Sequence, residues 1–339
     1  MSGTHPRSAV LARTTSRLGV GCVAAIALLA SDAAAAGPTA IEAEVARLAQ
    51  GAGGVTGVAA WMLDGKGPRV LVNAQERYPM ASTYKVAIAG AVLASVDAGR
   101  LDLGQMVTIE PADRVPSDLI ADRLVHPGIS LSVHNLLELM LTESDNTATD
   151  VLMRLAGGPQ AVTAWVLGQG VADLRVDRNT HALIREFLQL PPGPLGETFE
   201  AALEKDPSLE EKTTLPNPSF DEDPRDTATP VAMAELVTRI FNGTALSADS
   251  TKHIIEIMER CRTGESRLPG RLPPGSVIAH KTGTIGGTVN DVGVVTLPGD
   301  GKRLVIAVFI KKSDKPVEER ERTIAEIARS VRDYYLLQD

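Results

Sequence analysis

The tetrapeptide STYK, Ser82 to Lys85, places a hydroxyl group and an amine three residues apart. Positions i and i+3 share one face of a helix, so the lysine can lie within hydrogen-bond reach of the serine. A free serine is a weak nucleophile, and lysine can activate it only if burial or a nearby positive charge keeps the amine neutral. The apolar run up to Val96 predicts a buried helix that begins at or near Ser82. Because Ser-x-x-Lys is common by chance, the motif needs support from other residues.

A second polar motif, SDN at Ser144 to Asn146, separates two apolar runs with helical periodicity. We therefore expect it at a buried loop tip between two helices. There the serine could relay a proton to a leaving nitrogen, and the asparagine could bind an amide of the substrate. The tripeptide is also typical of a helix N-cap, so it does not identify a site alone.

The third motif is HKTGT, residues 280–284, which belongs to a β-type run. Gly283 allows another backbone segment to approach closely. On a strand edge, Lys281 and Thr282 could bind a carboxylate, and the N–H of Thr284 could stabilise an oxyanion. A surface turn can have the same composition, so this motif too is weak alone.

Hydrophobic periodicity predicts the elements that must position these motifs. Residues 57–63 and 69–73 read as a hairpin joined by the turn DGKG, and the C-terminal part has the β-type runs VIAHKTGT, DVGVVTL and RLVIAVFI. Helical patterns fill the middle of the chain, and a helix at 317–336 closes it. Because strands lie at both ends without βαβ repeats, we predict a mixed α/β (α+β) fold. It would have an antiparallel sheet from both termini, flanking helices and an inserted all-helical lobe.

Four segments, three of them around the motifs, carry a wider likeness: ERYPMASTYKVAIAGAVL, LTESDNTATDVLMRLAGGP, RDTATPVAMAEL and LPPGSVIAHKTGT. In this order and spacing, they resemble the class A β-lactamases among the penicillin-recognising serine hydrolases. The resemblance covers the mature chain except roughly residues 187–223. It implies a β-lactamase/transpeptidase-like fold and hydrolysis of a cyclic amide through an acyl-enzyme, without metal or cofactor. It also implies roles in antibiotic resistance and β-lactam catabolism.

The resemblance implies a role for each site residue. Ser82 resembles the acylated nucleophile, Lys85 its general base, and Ser144 the proton relay to the β-lactam nitrogen. Asn146 resembles the ligand of the acyl-amide. The carboxylate and oxyanion contacts would come from Lys281, Thr282 and Thr284, with the Ser82 N–H as second oxyanion donor. Arg267 matches a position where some class A enzymes supply a carboxylate-binding arginine, and a surface arginine is the equal alternative.

The chain departs from the class A pattern after Arg178. There the family carries E-x-x-L-N, whose Glu and Asn hold the water that hydrolyses the acyl-enzyme, but Thr180 and Ile184 stand at the two positions here. Read alone, the stretch DRNTHALI is an ordinary loop. The ion pair that closes this loop in the family is expected between Arg178 and Asp226, which are unusually far apart because of the insertion at about 187–223.

Three interpretations of this departure stay open. In the first, the insertion supplies a replacement base from Glu186, Glu197, Glu200, Glu204, Glu210 or Glu211, although each fits a solvated acidic face better. In the second, the protein acylates but hydrolyses slowly, as a covalent β-lactam-binding protein does. In the third, it is a DD-peptidase or esterase-like hydrolase in which Lys85 or Ser144 activates water. His181 is a weaker candidate for the base.

The N-terminal residues are typical of a secretory signal peptide, with three arginines, the apolar run LGVGCVAAIALLA and a small-residue stretch ending near Ala36. We predict a signal peptide over residues 1–36, export to the periplasm or medium, and no membrane anchor after cleavage. The catalytic domain would span 37–339, with an α/β lobe at 37–79 and 247–339 and a helical lobe at 80–246.

Charge and cysteine content limit the partners. Cleavage removes three arginines and one aspartate, which lowers the formal net charge of −8 by two, to −10. Such an acidic chain has no electrostatic attraction to nucleic acid. The resemblance implies a small-molecule β-lactam or cell-wall-peptide-like substrate, and we expect a monomer. Only Cys261 would remain, as a buried or inert thiol rather than a nucleophile or metal ligand.

Overall fold

The computed structural model describes residues 39–117 and 119–338, so the predicted signal peptide lies outside the described residues. The strands are β1 (Val55–Met62), β2 (Val70–Val72), β3 (Tyr78–Pro79), β4 (Met106–Thr108), β5 (Ser130–Ser132), β6 (Thr227–Ala228), β7 (Ile278–Ile285), β8 (Thr288–Thr296) and β9 (Arg303–Lys311). The helices are α1 (Ala40–Ala49), α2 (Lys85–Asp97), α3 (Ile120–Arg123), α4 (Val133–Thr142), α5 (Asn146–Leu155), α6 (Pro159–Gly168), α7 (Thr180–Phe187), α8 (Leu195–Lys205), α9 (Leu209–Lys212), α10 (Pro218–Asp221), α11 (Pro230–Phe241), α12 (Ala248–Met258) and α13 (Val317–Leu336).

The main sheet has five strands in the order β2-β1-β9-β8-β7, and all four neighbouring pairs are antiparallel. The predicted hairpin forms β1 and β2, while the C-terminal β-type runs form β7, β8 and β9. The sheet is therefore built from both ends of the chain, with helices between, which confirms the predicted fold class. β7 is an edge strand, so the HKTGT motif lies along a free sheet edge.

Both faces of the sheet are buried. Successive side chains of a strand point to opposite faces, so each strand contributes to two apolar clusters. In β9, Val305, Ala307 and Phe309 belong to the apolar cluster shared with α2, α4, α5 and α11. Their neighbours Leu304, Ile306, Val308 and Ile310 belong to the cluster beneath α1 and α13. This double burial explains why RLVIAVFI is apolar throughout. The division into two lobes stays a prediction.

The helix α2 is buried on nearly all sides, as its run of small and apolar residues predicts. The close approach of α6 requires Gly90, because a Cβ there would lie 2.1 Å from the Trp165 ring. The α-helix itself begins at Lys85, and Ser82 lies in a preceding 3₁₀ turn, Ala81–Tyr84. The expected helix start is thus displaced by three residues.

The segment from Thr180 to Phe187 is α7, and the expectation of an ordinary loop there was wrong. The insertion that follows contains the predicted helix in ETFEAALEKD, as α8, and two shorter helices, α9 and α10. Arg320 of α13 ties the insertion to the sheet by donating to the carbonyls of Gly286 and Thr214, at 2.9 and 3.0 Å. Among the described residues, no helix combines the length and apolarity that crossing a membrane requires.

Candidate active site

The turn that carries Ser82 is held in a sparsely populated conformation. Ala81 has a φ of 45°, in the left-handed region that non-glycine residues rarely adopt. Asn290, inside β8, holds the preceding segment by donating from Nδ2 to the carbonyls of Pro79 and Met80, at 2.9 and 3.0 Å. Among the described residues, the Ser82 hydroxyl has no hydrogen-bond partner, and it lines a cavity of about 70 Å³. The oxygen is therefore available to a ligand.

The amine of Lys85 lies at the SDN motif. Nζ is 2.6 Å from the Ser144 carbonyl, 2.9 Å from Asn146 Oδ1 and 3.1 Å from Ser144 Oγ. The Asn146 amide is oriented by its Nδ2, which donates to the Pro116 carbonyl at 2.9 Å. STYK and SDN, 59 residues apart, thus form one hydrogen-bonded cluster.

Burial lowers the pKa of Lys85 well below its usual range, and the positive charge of Lys281 lowers it further. A neutral amine, which has two protons and one lone pair, can satisfy these three contacts. Two of the three oxygens around Nζ, the Ser144 carbonyl and Asn146 Oδ1, can only accept a hydrogen bond. The third belongs to the Ser144 hydroxyl, which can donate to the lone pair. This arrangement can pass a proton between Lys85 and Ser144.

The loop that presents Ser144 is fixed by the neighbouring aspartate. Ser144 has a φ of 61°, and Asp145 caps α5 by accepting from the Ala148 N–H at 2.7 Å. Its other oxygen accepts from Ser117 Oγ at 2.9 Å and from the Ile120 N–H at 3.0 Å. The N-cap and loop-tip interpretations of SDN therefore hold together, since the cap is what positions Ser144.

β7 passes close to the Ser82 turn. A Cβ built on Gly283 would lie 2.6 Å from the Met80 carbonyl oxygen and 3.0 Å from the Ser82 nitrogen. Only glycine allows this approach, which brings Thr284 to the same cavity as Ser82. The local chain can thus place two backbone N–H groups, those of Ser82 and Thr284, beside one ligand oxygen.

Lys281 and Thr282 extend the site along β7. Lys281 is fully buried, and its Nζ donates to the Thr282 carbonyl at 3.0 Å. Burial lowers the pKa of Lys281 to about 8, so the amine is mostly protonated at pH 7. The Thr282 hydroxyl lies 2.6 Å from that of Thr263. Lys281 and Thr282 thus supply a cation and a hydroxyl group, which suit an anionic ligand.

Arg267 is buried and is not the surface arginine that was the alternative. Its Nε donates to Glu321 at 3.0 Å, and Nη1 donates to the carbonyls of Gly283 and Asn290 at 3.1 and 2.9 Å. Its Nη2 donates to the Thr284 hydroxyl at 2.6 Å. The guanidinium thus orients Thr284, and its direct contact with a substrate carboxylate stays a prediction.

Arg178 and Asp226 form a buried ion pair, with Nε and Oδ2 2.6 Å apart. Asp226 also accepts from the N–H groups of Asp177 and Arg178, at 2.7 and 3.1 Å. The pair fixes the start of the segment that leads to Thr180, although 48 positions separate its two members.

The six glutamates that could replace the missing base do not reach the cavity. Glu186 is bound by Arg178 at 2.7 Å and by Arg225 at 2.8 Å. The other five are exposed to solvent: Glu197, Glu200, Glu204, Glu210 and Glu211. None of them lines the cavity beside Ser82, so the interpretation as a solvated acidic face accounts for them.

Sequence reasoning missed several residues that shape the site. Asn290, Asp150 and Tyr84 position the Ser82 turn and α7. The only local signal for Asn290 is a polar residue inside an apolar strand. Burial raises the pKa of Cys261, which was expected to be inert, but a hydrogen bond with His280 and the charge of His280 together lower it to about 7. His280 is 19 positions away in the chain, so no local pattern relates the two.

His280 is itself paired with Asp291, at 2.9 Å from Nδ1. Burial disfavours its charged form, but the Asp291 carboxylate outweighs burial and raises the pKa of His280 to about 10. Within the described ranges, no cluster of three or more metal-ligating side chains is found.

Comparison with known proteins agrees with this geometry. The model of the beta-lactamase enzyme family matches residues 40–335. Beta-lactamase VEB-1 of Pseudomonas aeruginosa is 31% identical over 274 residues, which cover 78% of this chain and 80% of that protein. Extended-spectrum beta-lactamase PER-1 of the same species is 31% identical over 288 residues, covering 83% and 82%.

Solved structures are similar over nearly their whole length. A beta-lactamase from Chitinophaga pinensis has a TM-score of 0.71 and 28% identity, covering 88% of this chain and 100% of that one. The ancestral class A beta-lactamase of Gram-negative bacteria has a TM-score of 0.71 and 32% identity, covering 87% and 99%. With a family match over residues 40–335 and a class A enzyme among its structural neighbours, this chain belongs to the class A beta-lactamase family.

Proposed function

We propose that this protein is an exported serine hydrolase that opens the β-lactam ring through an acyl-enzyme on Ser82 and then hydrolyses that intermediate slowly. The observation that carries the proposal is the state of Lys85. Its amine is buried, has a strongly lowered pKa and contacts Ser144, and it follows Ser82 by three residues. A neutral amine at this position is the base that a serine nucleophile needs.

Acylation then uses Ser82 together with the hydrogen-bonded pair of Lys85 and Ser144. Lys85 takes the Ser82 hydroxyl proton as Oγ bonds to the lactam carbonyl carbon. The carbonyl oxygen becomes an oxyanion beside the N–H groups of Ser82 and Thr284. When the C–N bond breaks, Ser144 donates its proton to the nitrogen and recovers one from Lys85. The amine is neutral again once the ester has formed.

Substrate binding uses the remaining polar groups. Asn146 Nδ2 spends one N–H on the Pro116 carbonyl and keeps the other for the acyl-amide oxygen. The charge of Lys281 and the hydroxyls of Thr282 and Thr284 face the substrate carboxylate. Arg267 supports this contact by orienting the Thr284 hydroxyl.

Slow deacylation is proposed because no carboxylate among the described residues lines the cavity beside Ser82. Thr180 can bind a water molecule there but cannot remove its proton at neutral pH, and Ile184 cannot bind water. General base catalysis is typically worth about 10²–10⁴-fold. The same observation favours a second candidate, a covalent β-lactam-binding protein that stops after one equivalent.

The test is intact-mass spectrometry of the mature protein mixed with a penicillin and followed over time. We expect a one-to-one adduct that accumulates during steady-state hydrolysis and decays after the penicillin is consumed. Ser82→Ala should give no adduct. Ser95→Ala, which removes a buried hydroxyl bound to the Ala91 carbonyl in α2, should react like the wild type.

Three outcomes separate the candidates. An adduct that never decays would establish the covalent binder. Rapid turnover with fast acylation and no detectable adduct would contradict slow deacylation. An undiminished adduct in Ser82→Ala would refute the nucleophile itself.

A further inference from the structure

Two residues with buried hydroxyl groups line the cavity beside Ser82. Tyr84 and Thr180 line it together with Ser82, and their oxygens are 2.6 Å apart. The exposed fractions of Tyr84 and Thr180 are only 2% and 5%. Burial raises the pKa of Tyr84 well above 10, and the charge of Asp150 adds to this shift, so the phenol is a neutral hydrogen-bond donor. A water molecule in the cavity would meet this hydroxyl pair.

Behind the pair lies the carboxylate of Asp150, on α5. Its Oδ1 accepts from the Thr180 N–H at 2.7 Å, and its Oδ2 accepts from the His181 N–H at 2.9 Å. Burial raises the pKa of Asp150, while these N–H groups and the Thr180 hydroxyl act in the opposite direction. Each carboxylate oxygen has further lone pairs, so Asp150 can accept another proton.

Asp150 also reaches solvent on its far side. It lines an open groove with Met153, Arg154, Asn179 and Ala182, separate from the cavity that contains Ser82. The carboxylate therefore stands between the hydroxyl pair and bulk water. A proton that reached Asp150 could leave through the groove without passing the substrate.

We propose that Asp150 is the terminal proton acceptor in deacylation, and that the hydroxyls of Tyr84 and Thr180 relay the proton to it from the attacking water. This inference rests on the proposed acyl-enzyme at Ser82. It gives a source for the turnover that remains without the family's glutamate.

The relay step balances in atoms and charge. The water oxygen bonds to the ester carbonyl carbon and gives its proton to the Tyr84 oxygen. Tyr84 passes its own proton to Thr180, and Thr180 passes its own to Asp150, so both hydroxyls end neutral. The bond between the carbonyl carbon and Ser82 Oγ then breaks. Oγ takes the proton of the new carboxylic acid, and Asp150 releases its proton to the groove.

Other groups are less well placed for this task. Lys85, the base of the acylation step, does not line the cavity in which the attacking water would lie. Glu186 is bound to two arginines. Asp150 has a second, structural role, because it caps the start of α7. The test must therefore separate proton relay from helix capping.

Side-chain changes at Thr180 make this separation, because they leave its backbone N–H on Asp150. The acyl-enzyme is formed with benzylpenicillin, freed of excess ligand, and its decay is followed by intact-mass spectrometry. We expect Thr180→Val and Tyr84→Phe to slow decay by about tenfold or more while acylation changes little, since each breaks the relay. Thr180→Ser should recover most of the rate lost in Thr180→Val. Thr251→Val, which removes an unpartnered hydroxyl on α12, is the control.

Two further readouts would not respond to a purely structural role. Deacylation should show a curved dependence on the D₂O fraction in the wild type, because several protons move together, and Thr180→Val should lose that curvature. The wild-type rate should also fall as the pH drops through the raised pKa of Asp150, and Asp150→Asn should lose this acid limb.

The failure of this inference differs from that of the proposed function. If Thr180→Val and Tyr84→Phe deacylate at the wild-type rate, the relay is refuted while the acyl-enzyme stands. If Thr180→Ser is as slow as Thr180→Val, the hydroxyl is not the functional group and the relay is again refuted. If the wild type forms no adduct on Ser82, the proposed function fails, and the relay fails with it.

Discussion

Two lysines in one site have the same chemical group, but their pKa values are lowered by different amounts. Burial lowers the pKa of both, yet Lys85 is shifted well below its usual range, whereas Lys281 is shifted to about 8. Part of the difference comes from Lys281 itself, because after burial its charge is the second cause that lowers the Lys85 pKa. At pH 7, Lys281 can thus be the cation that binds a carboxylate while it helps to keep Lys85 a neutral base.

This difference predicts a bell-shaped pH dependence for kcat/KM of a carboxylate-bearing β-lactam. The value should rise as Lys85 loses its proton and fall above about pH 8 as Lys281 loses its own. A neutral ester, which has no carboxylate, should retain its reactivity above pH 8. Stopped-flow acylation of both substrates across pH 5–10 measures this.

Lys281→Arg is the matched variant, because the guanidinium stays charged throughout this range. It should remove the alkaline limb for the carboxylate substrate. An alkaline limb of equal size for both substrate types would show that Lys281 does not bind the carboxylate.

At the scale of elements, the site depends on the distance between β7 and the Ser82 turn. Gly283→Ala would place a Cβ 2.6 Å from the Met80 carbonyl oxygen, so the strand or the turn must move. We expect acylation to slow by about tenfold or more, since reacting groups lose their alignment, and stability to fall by about 1–3 kcal/mol through overpacking.

Gly168→Ala, at the end of α6, is the control for Gly283→Ala, because a Cβ there meets nothing within 4 Å. It should leave acylation unchanged. The two variants are compared by burst kinetics with a penicillin and by urea unfolding. Wild-type acylation in Gly283→Ala would show that this close approach is not required.

Local patterns predicted those elements whose causes are local. The hairpin of β1 and β2 follows from alternating apolar residues and a turn, and α13 follows from helical periodicity. α7 has a local N-cap in Asn179, which was overlooked, while the first N–H groups of the helix are bound by Asp150, 30 positions earlier in the chain. The Ser82 turn was placed in an α-helix because its 3₁₀ geometry depends on contacts with Asn290, about 210 positions away.

The sequence also predicted part of the candidate site. The resemblance identified the residues now found in contact at STYK, SDN and HKTGT. It could not show that Arg267 is buried and bonded to Thr284, because that depends on packing against Glu321 of α13. It also could not identify Asp150 or Tyr84 as neighbours of Thr180, because no family pattern assigns them together.

At the scale of the whole molecule, the active site costs folding free energy. Lys85 and Lys281 are both fully buried, and burial disfavours the charged form of each. A base whose pKa is lower in the folded state than in the unfolded chain binds its proton less tightly there. This difference lowers the free energy of unfolding as long as the lysine is protonated in the unfolded chain. The effect disappears as the pH rises above the pKa of the lysine in the unfolded chain. The roles proposed for Lys85 and Lys281 give a reason why two buried lysines would be kept despite this penalty.

Lys281→Met tests this cost. The pKa of Lys281 falls from 10.5 to about 8 because of burial, a difference worth about 3 kcal/mol at pH 7. Methionine removes that penalty and loses one hydrogen bond to the Thr282 carbonyl, so we expect a net gain of about 1–3 kcal/mol in the free energy of unfolding. The gain should be full below pH 8 and should shrink between pH 8 and 10.5, where the wild type loses its penalty. Urea unfolding of both proteins across pH 6–10.5 measures the difference, and binding of carboxylate substrates should weaken in parallel.

Lys66→Met, at an exposed position, should change stability by no more than about 0.5 kcal/mol. If Lys281→Met is less stable than the wild type at pH 7, or its gain does not depend on pH, the buried charge is not the cost described here.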